Sequence, residues 1–115
     1  MDAWELAELL EHRAEGKRPY LEFIRTPSLS AGLYVLPPGA TDRQQPHTED
    51  EVYYVVSGAG CVTVGAETRD VAAGSVVFVA STVPHRFHDI ADELRIVVFF
   101  APPEGSLAVG SGQDG

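Results

Sequence analysis

The segment QQPHTEDEVYYVVSGAG, residues 44–60, joins a polar loop that carries one histidine to an apolar run, 52–56, whose residues favour a strand. Alternate residues of a strand share one face, so the strand and its approach form a single series: Gln45, His47, Glu49, Glu51, Tyr53 and Val55. If Tyr53 and Val55 face the interior of the fold, Glu51 does too. A carboxylate that faces inward is costly unless it is paired, protonated or bound to a metal.

A second histidine-containing segment, GSVVFVASTVPHRFHDI, occupies residues 74–90. Pro84 sets the start of a strand whose first residue is His85. By alternation, His85 and Phe87 share one face of this strand and His88 lies on the other. If Phe87 packs inside the fold, the imidazole of His85 points inside as well.

His47, Glu51 and His85 would then supply two imidazoles and one carboxylate to one centre, a set that suits divalent transition metals. Three protein ligands leave coordination positions open for water or a substrate, as catalytic sites do. Each residue alone has an ordinary interpretation: His47 as a solvated loop residue, Glu51 as an exposed acid at a strand start, and His85 as a turn residue. It is their combination in one interior that favours a metal site.

The rest of the chain predicts an all-β fold. Seven short segments are rich in β-branched and aromatic residues: YLEFIR (20–25), AGLYVL (31–36), EVYYVV (51–56), CVTV (61–64), SVVFVA (75–80), HRFHDI (85–90) and LRIVVFFA (94–101). Turn residues such as Ser57-Gly58 separate them, and no helical pattern intervenes, which is typical of a sandwich or barrel. Several strands are apolar on both faces, so a second sheet, the N-terminal helix or a second subunit must cover the outer face.

The two ends of the chain differ from this pattern. Residues 2–15, DAWELAELLEHRAE, predict a short amphipathic helix that Asp2 caps and Gly16 ends. Residues 104–115 are rich in Gly and Ser and predict a flexible tail. The predicted domain organisation is therefore an N-terminal helix (1–18), a barrel (19–103) and the tail (104–115).

The first histidine segment resembles a motif of the cupins, a family of small antiparallel jelly-roll barrels. Gly39, His47, Glu51 and Gly58 stand at the spacing of that motif, and Gln45 stands where its first histidine is expected. The resemblance implies a metal held by Gln45, His47, Glu51 and His85. If Gln45 is not a ligand, the remaining two histidines and one carboxylate still form a set that occurs in non-haem iron sites.

The second histidine segment resembles the second cupin motif. Gly74 and His85 keep its spacing, whereas Ala80, Thr82 and Asp89 stand where Pro, Gly and Asn are expected. Two motifs in register imply the cupin double-stranded β-helix, a jelly-roll barrel, to which this chain adds a short N-terminal helix. The resemblance and the two-sided apolar strands together predict a homodimer.

Composition limits the partners of the chain. Its 115 residues include 8 basic and 17 acidic ones, a formal net charge of −9, and the basic residues are not clustered, so neither a nucleic acid nor an anionic membrane is a predicted partner. The single cysteine, Cys61, cannot form a disulfide within the chain, and we assign it no chemical role. No signal peptide or transmembrane stretch is recognisable, so we expect a cytoplasmic protein.

The predicted function is that of a metal-binding cupin that acts on a small organic molecule. The implied cofactor is a divalent transition metal (Fe, Mn, Zn, Ni or Cu), and Tyr53 is the residue expected to touch a bound ligand. Dioxygenase-like oxidoreductase chemistry is the first hypothesis and isomerase or lyase chemistry the second; no catalytic residue is assigned, because no general base stands out. The alternative is a non-catalytic cupin that binds a small molecule with or without a metal. Glu49, Asp50 and His88 are interpreted as surface residues.

Overall fold

The computed structural model describes residues 1–42 and 46–107 of the chain. Within these ranges the backbone forms one helix and six strands: α1 (Leu6–Gly16), β1 (Tyr20–Arg25), β2 (Ser30–Leu36), β3 (Asp50–Val64), β4 (Glu67–Ala72), β5 (Val76–Val79) and β6 (His85–Ala101). The prediction of an all-β fold with a short N-terminal helix is confirmed.

The strands pair in the antiparallel order β1-β2-β6-β3-β4, and β5 pairs with β3 outside that path. The two longest strands, β3 and β6, pair with each other along most of their length. β3 also pairs with β5 through residues 51–54 and with β4 through residues 59–64. The long strand β3 thus pairs with β5 along its first part and with β4 along its last part. The inner faces of β3 and β6 line a common core.

The predicted break at Ser57-Gly58 is wrong, because β3 runs through it without interruption. The pairing of β3 with β6 shifts register three times between Val55 and Cys61, which marks bulges. Gly58 has a φ of 98°, a backbone conformation that glycine adopts readily. Glycine therefore bends the strand here instead of ending it, and β6 is likewise continuous across the two segments predicted at 85–90 and 94–101.

Strand β4 lies in a segment for which the sequence predicts no strand. Its residues, ETRDVA, are polar, and only Val71 is buried. β4 pairs with β3 along one side and ends the strand order, so it is an edge strand. Polar side chains are normal at a sheet edge, where they discourage pairing with other chains.

The N-terminal helix begins later than predicted. It starts at Leu6 with Glu5 as its N-cap residue, so the prediction that Asp2 caps it is wrong. Glu5 and Glu8 cap each other: each carboxylate accepts a hydrogen bond from the backbone N–H of the other residue. This satisfies N–H groups that a helix start otherwise leaves without partners. The last helical residue is Gly16, where the sequence places the end.

The helix covers one part of the outer face of the sheet. Leu9 packs against Leu33 and Val35 of β2 in a cluster separate from the main core. Another part of the outer face stays exposed, and its apolar residues on β3, β5 and β6 are Tyr54, Val76, Phe78 and Phe99. The sequence predicts that apolar faces need a cover, and within the described residues α1 supplies only part of it.

The main core is lined by the inward residues of β3 and β6. Tyr53, Val55 and Phe87 are each 0% exposed, which matches the alternation of both strands. Full burial of such a side chain stabilises the fold by about 1.5–3 kcal/mol. The same alternation brings two charged or titratable residues, Glu51 and His85, into the interior beside the aromatic rings.

Candidate metal centre

Three strands and a loop bring His47, Glu51 and His85 together. Glu51 lies near the start of β3, where it pairs with residues of β5 and β6, and His85 is the first residue of β6. The loop residue His47 is tied to the turn before β6, since the backbone N–H of Thr82 donates to its carbonyl at 2.6 Å. The three side chains are buried (6%, 1% and 6% exposed), and one ligand atom from each lies within 4.8 Å of the others.

The carboxylate of Glu51 is the centre of this group. One of its oxygens, Oε1, lies 2.7 Å from Nδ1 of His47. The other, Oε2, accepts a hydrogen bond from the Tyr53 hydroxyl at 2.5 Å and lies 3.4 Å from Nε2 of His85. The Tyr53 oxygen is also 3.0 Å from that nitrogen. Tyr53, predicted to touch a bound ligand, thus contacts two of the candidate metal ligands.

The outer nitrogen of each imidazole has its own acceptor. Nδ1 of His85 is 2.9 Å from the carbonyl oxygen of Val83, and Nε2 of His47 is 3.0 Å from a carboxylate oxygen of Glu104. A carbonyl or carboxylate can only accept, so each of these outer nitrogens carries a proton and donates. In the neutral rings, the nitrogens that face Glu51 are therefore the ones with free lone pairs, which is the tautomer a metal ligand needs.

Nδ1 of His47 is the least satisfied atom of the site. It is buried and has no aligned hydrogen-bond partner among the described residues, although Oε1 of Glu51 is close enough for an ion pair. A lone pair of the neutral ring would meet an anionic oxygen at 2.7 Å, and both would be acceptors. The arrangement becomes favourable only with a positive charge between them, either a proton on Nδ1 or a metal cation. The residues present therefore fit a divalent metal.

The pKa shifts of the group follow from the same contacts. Burial disfavours the charged imidazolium of His47, but Glu104 and Glu51 outweigh it and raise the pKa of His47 to about 9. Burial likewise disfavours the carboxylate of Glu51, but the contacts with His47, His85 and Tyr53 lower its pKa to about 2. The pKa of His85 is also raised, against burial, chiefly by Glu51.

The metal-free protein should be most stable between about pH 4.5 and pH 6.5. The Glu51 pKa is depressed from 4.5, so its contribution is complete above that value and is lost as the pH falls toward 2. The His47 pKa is raised from 6.5, so its contribution is complete below that value and is lost as the pH rises toward 9. We expect a loss of at most about 3 kcal/mol on the alkaline side, measured by denaturant unfolding with a chelator present. The His47→Gln variant should lack most of that alkaline loss, and a wild-type stability that rises between pH 6.5 and 9 would contradict the assignment.

Glu49 is not the surface residue that the sequence suggests, because it is only 1% exposed. Its two carboxylate oxygens accept hydrogen bonds from the backbone N–H groups of Gly105, at 2.8 Å, and Leu107, at 3.1 Å. The Thr48 hydroxyl also donates to it. These hydrogen bonds lower the pKa of Glu49 although burial opposes the shift. The acid serves to fix the C-terminal segment of the described chain rather than to face solvent.

Residues 104–107 form this segment, which we name the C-terminal strap. The carboxylate of Glu104 holds His47, its backbone N–H donates to the Ser30 hydroxyl at 2.9 Å, and its carbonyl accepts from Arg25 at 3.0 Å. Residues 104–107, which follow residue 103, the predicted boundary of the barrel, therefore make specific contacts with the rest of the fold. These contacts join residues that are far apart in the sequence, so no local sequence pattern predicts them.

Three other predictions about the site have different outcomes. Gln45, which the resemblance offers as a fourth ligand, lies outside the described residues. His88 lies away from the interior group and contacts Thr63 and Asp89 instead, as the alternation of β6 predicts. Asp50 is exposed, as the sequence suggests, and its carboxylate accepts from the backbone N–H of Ser81 at 2.9 Å.

A pocket of about 340 Å³ opens beside His85. Its lining residues are Asp42, Pro46, Thr63, Gly65, Pro84, His85 and Arg86. Asp42 is buried and its carboxylate is engaged by the Tyr34 hydroxyl, at 2.7 Å, and the backbone N–H of Phe87, at 2.8 Å. The pocket brings solvent-accessible space up to His85, whose side chain itself is fully buried.

Comparison with known proteins identifies a matching family and several similar proteins. The family model described as "Cupin domain" matches residues 32–101. Uncharacterized protein SCO3923 of Streptomyces coelicolor is 52% identical over 104 residues, which are 90% of this chain and 99% of that protein. The solved structure of TT1209 from Thermus thermophilus is 27% identical, with a TM-score of 0.71 over 90% of this chain and 99% of that one.

A second solved structure, with lower sequence identity, shows which type of fold the chain has. An RmlC-like cupin family protein of Methanocaldococcus jannaschii, described as having a double-stranded β-helix fold, is 19% identical with a TM-score of 0.66. The similarity covers 72% of this chain and 78% of that protein. The predicted jelly-roll architecture is thereby confirmed. The described part of the chain contains no helix whose length and hydropathy would let it span a bilayer.

Proposed function

This chain belongs to the cupin domain family, and from that premise we propose that it holds a divalent transition metal with His47, Glu51 and His85 and acts on a small organic molecule beside it. The observation that carries the proposal is the pair formed by Nδ1 of His47 and Oε1 of Glu51, two acceptors 2.7 Å apart that require a cation or a proton between them. Two imidazoles and a carboxylate suit Fe, Mn, Zn, Ni and Cu. When bound, such an ion supplies Lewis-acid polarisation of the organic molecule or, if it is iron, activation of dioxygen.

The protein's own residues would orient the ligands and limit access to them. Val83 and Glu104 fix the two imidazoles from outside, and such partners commonly raise metal affinity by roughly 10- to 100-fold. The Tyr53 hydroxyl donates to Glu51 and lies 3.0 Å from the inner nitrogen of His85. It could instead donate this proton to a small molecule that displaces its contact with Glu51. The ring of Phe100 lies 4.9 Å from that of His47 and helps to exclude water.

The proposed activity is dioxygenase-like, with isomerase or lyase chemistry as the second possibility. The alternative function is a non-catalytic cupin that binds a small molecule. One observation favours it: at the site, the described titratable side chains His47, Glu51, His85 and Glu104 form one connected set of contacts. Because each of these side chains is engaged by another member of the set, none is available as a separate general base, which favours binding without catalysis. A cytoplasmic location and the absence of nucleic-acid and membrane partners remain predictions from charge and composition.

Elemental analysis combined with ligand screening tests the proposal. Wild-type protein expressed with metal supplements and freed of its tag should carry at least about one equivalent of Fe, Mn, Zn, Ni or Cu per chain. Oxygen uptake with small enols, thiols or catechols would support the enzyme, whereas a bound and displaceable small molecule without turnover would support the binding protein. Protein that takes up none of the five metals to a substantial fraction of one equivalent would refute the metal-dependent function.

We also propose that the exposed outer face mediates a homodimer. Val52 on β3 lies opposite Phe78 of β5 and Phe99 of β6, and Tyr54 lies opposite Val76. Phe78 of β5, a strand that pairs only with β3, is 60% exposed. A contiguous apolar face of this kind on a soluble domain marks an interaction surface. A second copy of the chain presents the same face, and a two-fold arrangement would let the two faces cover each other.

The Phe78→Ser substitution should weaken the homodimer, so the variant should already be monomeric at protein concentrations at which the wild type is still dimeric. Loss of an aromatic anchor from the centre of an interface commonly weakens it by more than about tenfold. Analytical ultracentrifugation over a dilution series would measure the dimer dissociation constant. Leu29→Ser provides the control, because Leu29 is an exposed apolar residue that precedes β2 and does not belong to β3, β5 or β6. A wild type that is monomeric at every concentration would refute the dimer.

A further inference from the structure

A second group of metal-binding side chains lies on β3 and β6, away from the candidate centre described above. Cys61 of β3 pairs directly with His88 of β6 on one side and with Asp70 of β4 on the other. Directly paired residues of antiparallel strands project their side chains to the same face. Three neighbouring strands therefore carry a thiol, an imidazole and a carboxylate in one row.

Asp89 completes the group. It follows His88 in a stretch where β6 departs from regular pairing with β3, and its φ of 49° turns its carboxylate back toward the row. One Asp89 oxygen lies 2.7 Å from Nδ1 of His88. Ligand atoms of Cys61, His88 and Asp89 all lie within 4.8 Å of one another. The three ligand atoms are therefore close enough together to share a single ion.

The side of the His88 imidazole that faces away from Asp89 contacts a threonine hydroxyl, which restricts the orientation of the ring. Its Nε2 is 2.7 Å from the hydroxyl of Thr63, which is in turn 2.7 Å from the hydroxyl of Thr68. In the metal-free protein Nδ1 donates to the Asp89 carboxylate, which can only accept, and Nε2 faces a hydroxyl that can donate to it. When a cation replaces the proton on Nδ1, the same hydroxyl can accept the Nε2 proton instead, and the lone pair of Nδ1 then points toward the ion. The ring is half-buried, its side chain being 17% exposed, so its orientation is restricted by packing as well. A hydroxyl partner on the outer nitrogen is the kind of support that metal-binding histidines usually have.

The local charge is also suited to a cation. Asp70 accepts a hydrogen bond from the Cys61 thiol at 3.3 Å, and Asp89 contacts His88. Among the described residues, neither carboxylate forms an ion pair with an arginine or a lysine. The whole chain carries a formal charge of −9, so no general excess of positive charge opposes a divalent ion here.

We infer that Cys61, His88 and Asp89 form a second, solvent-accessible site for a borderline or soft divalent cation such as Zn²⁺. Thiolate, imidazole and carboxylate are the three ligand types that Zn²⁺ takes in proteins. Binding displaces the proton of the Cys61 thiol to solvent, and water completes the coordination on the exposed side. Because the site contains a thiolate, it differs in chemistry from the interior group of two imidazoles and one carboxylate, and the inference does not depend on the proposed function.

Cobalt substitution tests this site, because the chain has a single cysteine and every thiolate signal must come from Cys61. Wild-type protein titrated with Co²⁺ should develop thiolate-to-cobalt charge-transfer absorption in the near ultraviolet, and Zn²⁺ should abolish it by competition. His47→Ala should keep this absorption, although it damages the interior site. Cys61→Ser should lose it completely, and His88→Ala should weaken it strongly.

Thiol reactivity gives a second measurement that does not need cobalt. Saturating Zn²⁺ should slow alkylation of Cys61 by at least about tenfold, because a metal-bound thiolate is withdrawn from reaction. His88→Ala should lose this protection while its circular dichroism and its interior metal content stay as in the wild type. Absence of the charge-transfer band in folded wild-type protein, or Zn²⁺ protection that persists in His88→Ala and Asp89→Ala, would overturn the inference.

Discussion

His85→Ala and His47→Ala should each abolish stoichiometric binding of a divalent transition metal to the interior site. Either change removes one of only three described ligands that meet around Glu51 and leaves a buried carboxylate with fewer partners. Even the loss of a partner behind a ligand commonly costs roughly 10- to 100-fold in affinity, so the loss of a ligand should cost more than about 100-fold. Metal content by elemental analysis and affinity by isothermal titration calorimetry measure the effect, both in a Cys61→Ser background so that the second site inferred above does not contribute.

The matched control is His12→Ala, because His12 is an exposed histidine of α1, remote in sequence from the three ligands. It should retain the metal content of the wild type. Glu51→Gln should behave like the two histidine variants, since an amide keeps the shape of the side chain but removes its charge. Full metal content in His47→Ala or His85→Ala, with the fold intact by circular dichroism, would mean that the ion binds elsewhere.

Gly58→Ala should strongly destabilise the fold. A Cβ atom at this position would lie 2.0 Å from the carbonyl oxygen of Glu93 and 2.8 Å from Cα of Leu94. These are backbone atoms of the paired strand β6, so the clash can be relieved only by moving one strand away from the other. We expect a loss of at least about 3 kcal/mol in the free energy of unfolding, from the left-handed backbone and the overpacking together.

Gly74→Ala separates the two causes of that loss. Gly74 has almost the same φ, 94° against 98°, but a Cβ atom there would have no neighbour within 4 Å. Its substitution should cost only the conformational penalty of about 1–2 kcal/mol. Urea unfolding of both variants measures the difference. Equal losses at the two positions would show that the bulge of β3 can shift to accommodate a side chain.

The parts of the site that the sequence predicts are those set by local alternation. Glu51 shares a face with Tyr53, and His85 shares one with Phe87, and the structure buries all four side chains. The pairing of β3 with β6 places Glu51 opposite Phe100 and His85 opposite Val64, at opposite ends of the ladder, so the two pairs meet only because the long strands bend. The resemblance to the cupin motifs implied this closure, and periodicity alone could not predict it. The bent strands β3 and β6 explain why turn residues were misinterpreted: a glycine with positive φ looks the same in a sequence whether it ends a strand or bends it.

The parts that the sequence misses depend on contacts across long stretches of chain. Glu49 accepts hydrogen bonds from Gly105 and Leu107, which follow it in the sequence by 56 and 58 positions. His47 contacts Glu104, which follows it by 57 positions. In a local window, Glu49 is simply one acid among several, and surface exposure is the ordinary state of such a residue. The row that contains Cys61 was missed for a related reason, because its strand partners His88 and Asp70 become neighbours only once the register of β3 is known.

The C-terminal strap has a consequence for how the protein can be shortened or joined to other chains. Glu104 restrains the His47 ring from a part of the sequence that lies after the last strand, so cutting the chain at Pro103 would leave the barrel strands whole and yet free that ring to flip. Either nitrogen could then turn toward Glu51, and preference for one ion over another would relax. Truncated versions of this protein should therefore not be used to judge which metal the full chain selects.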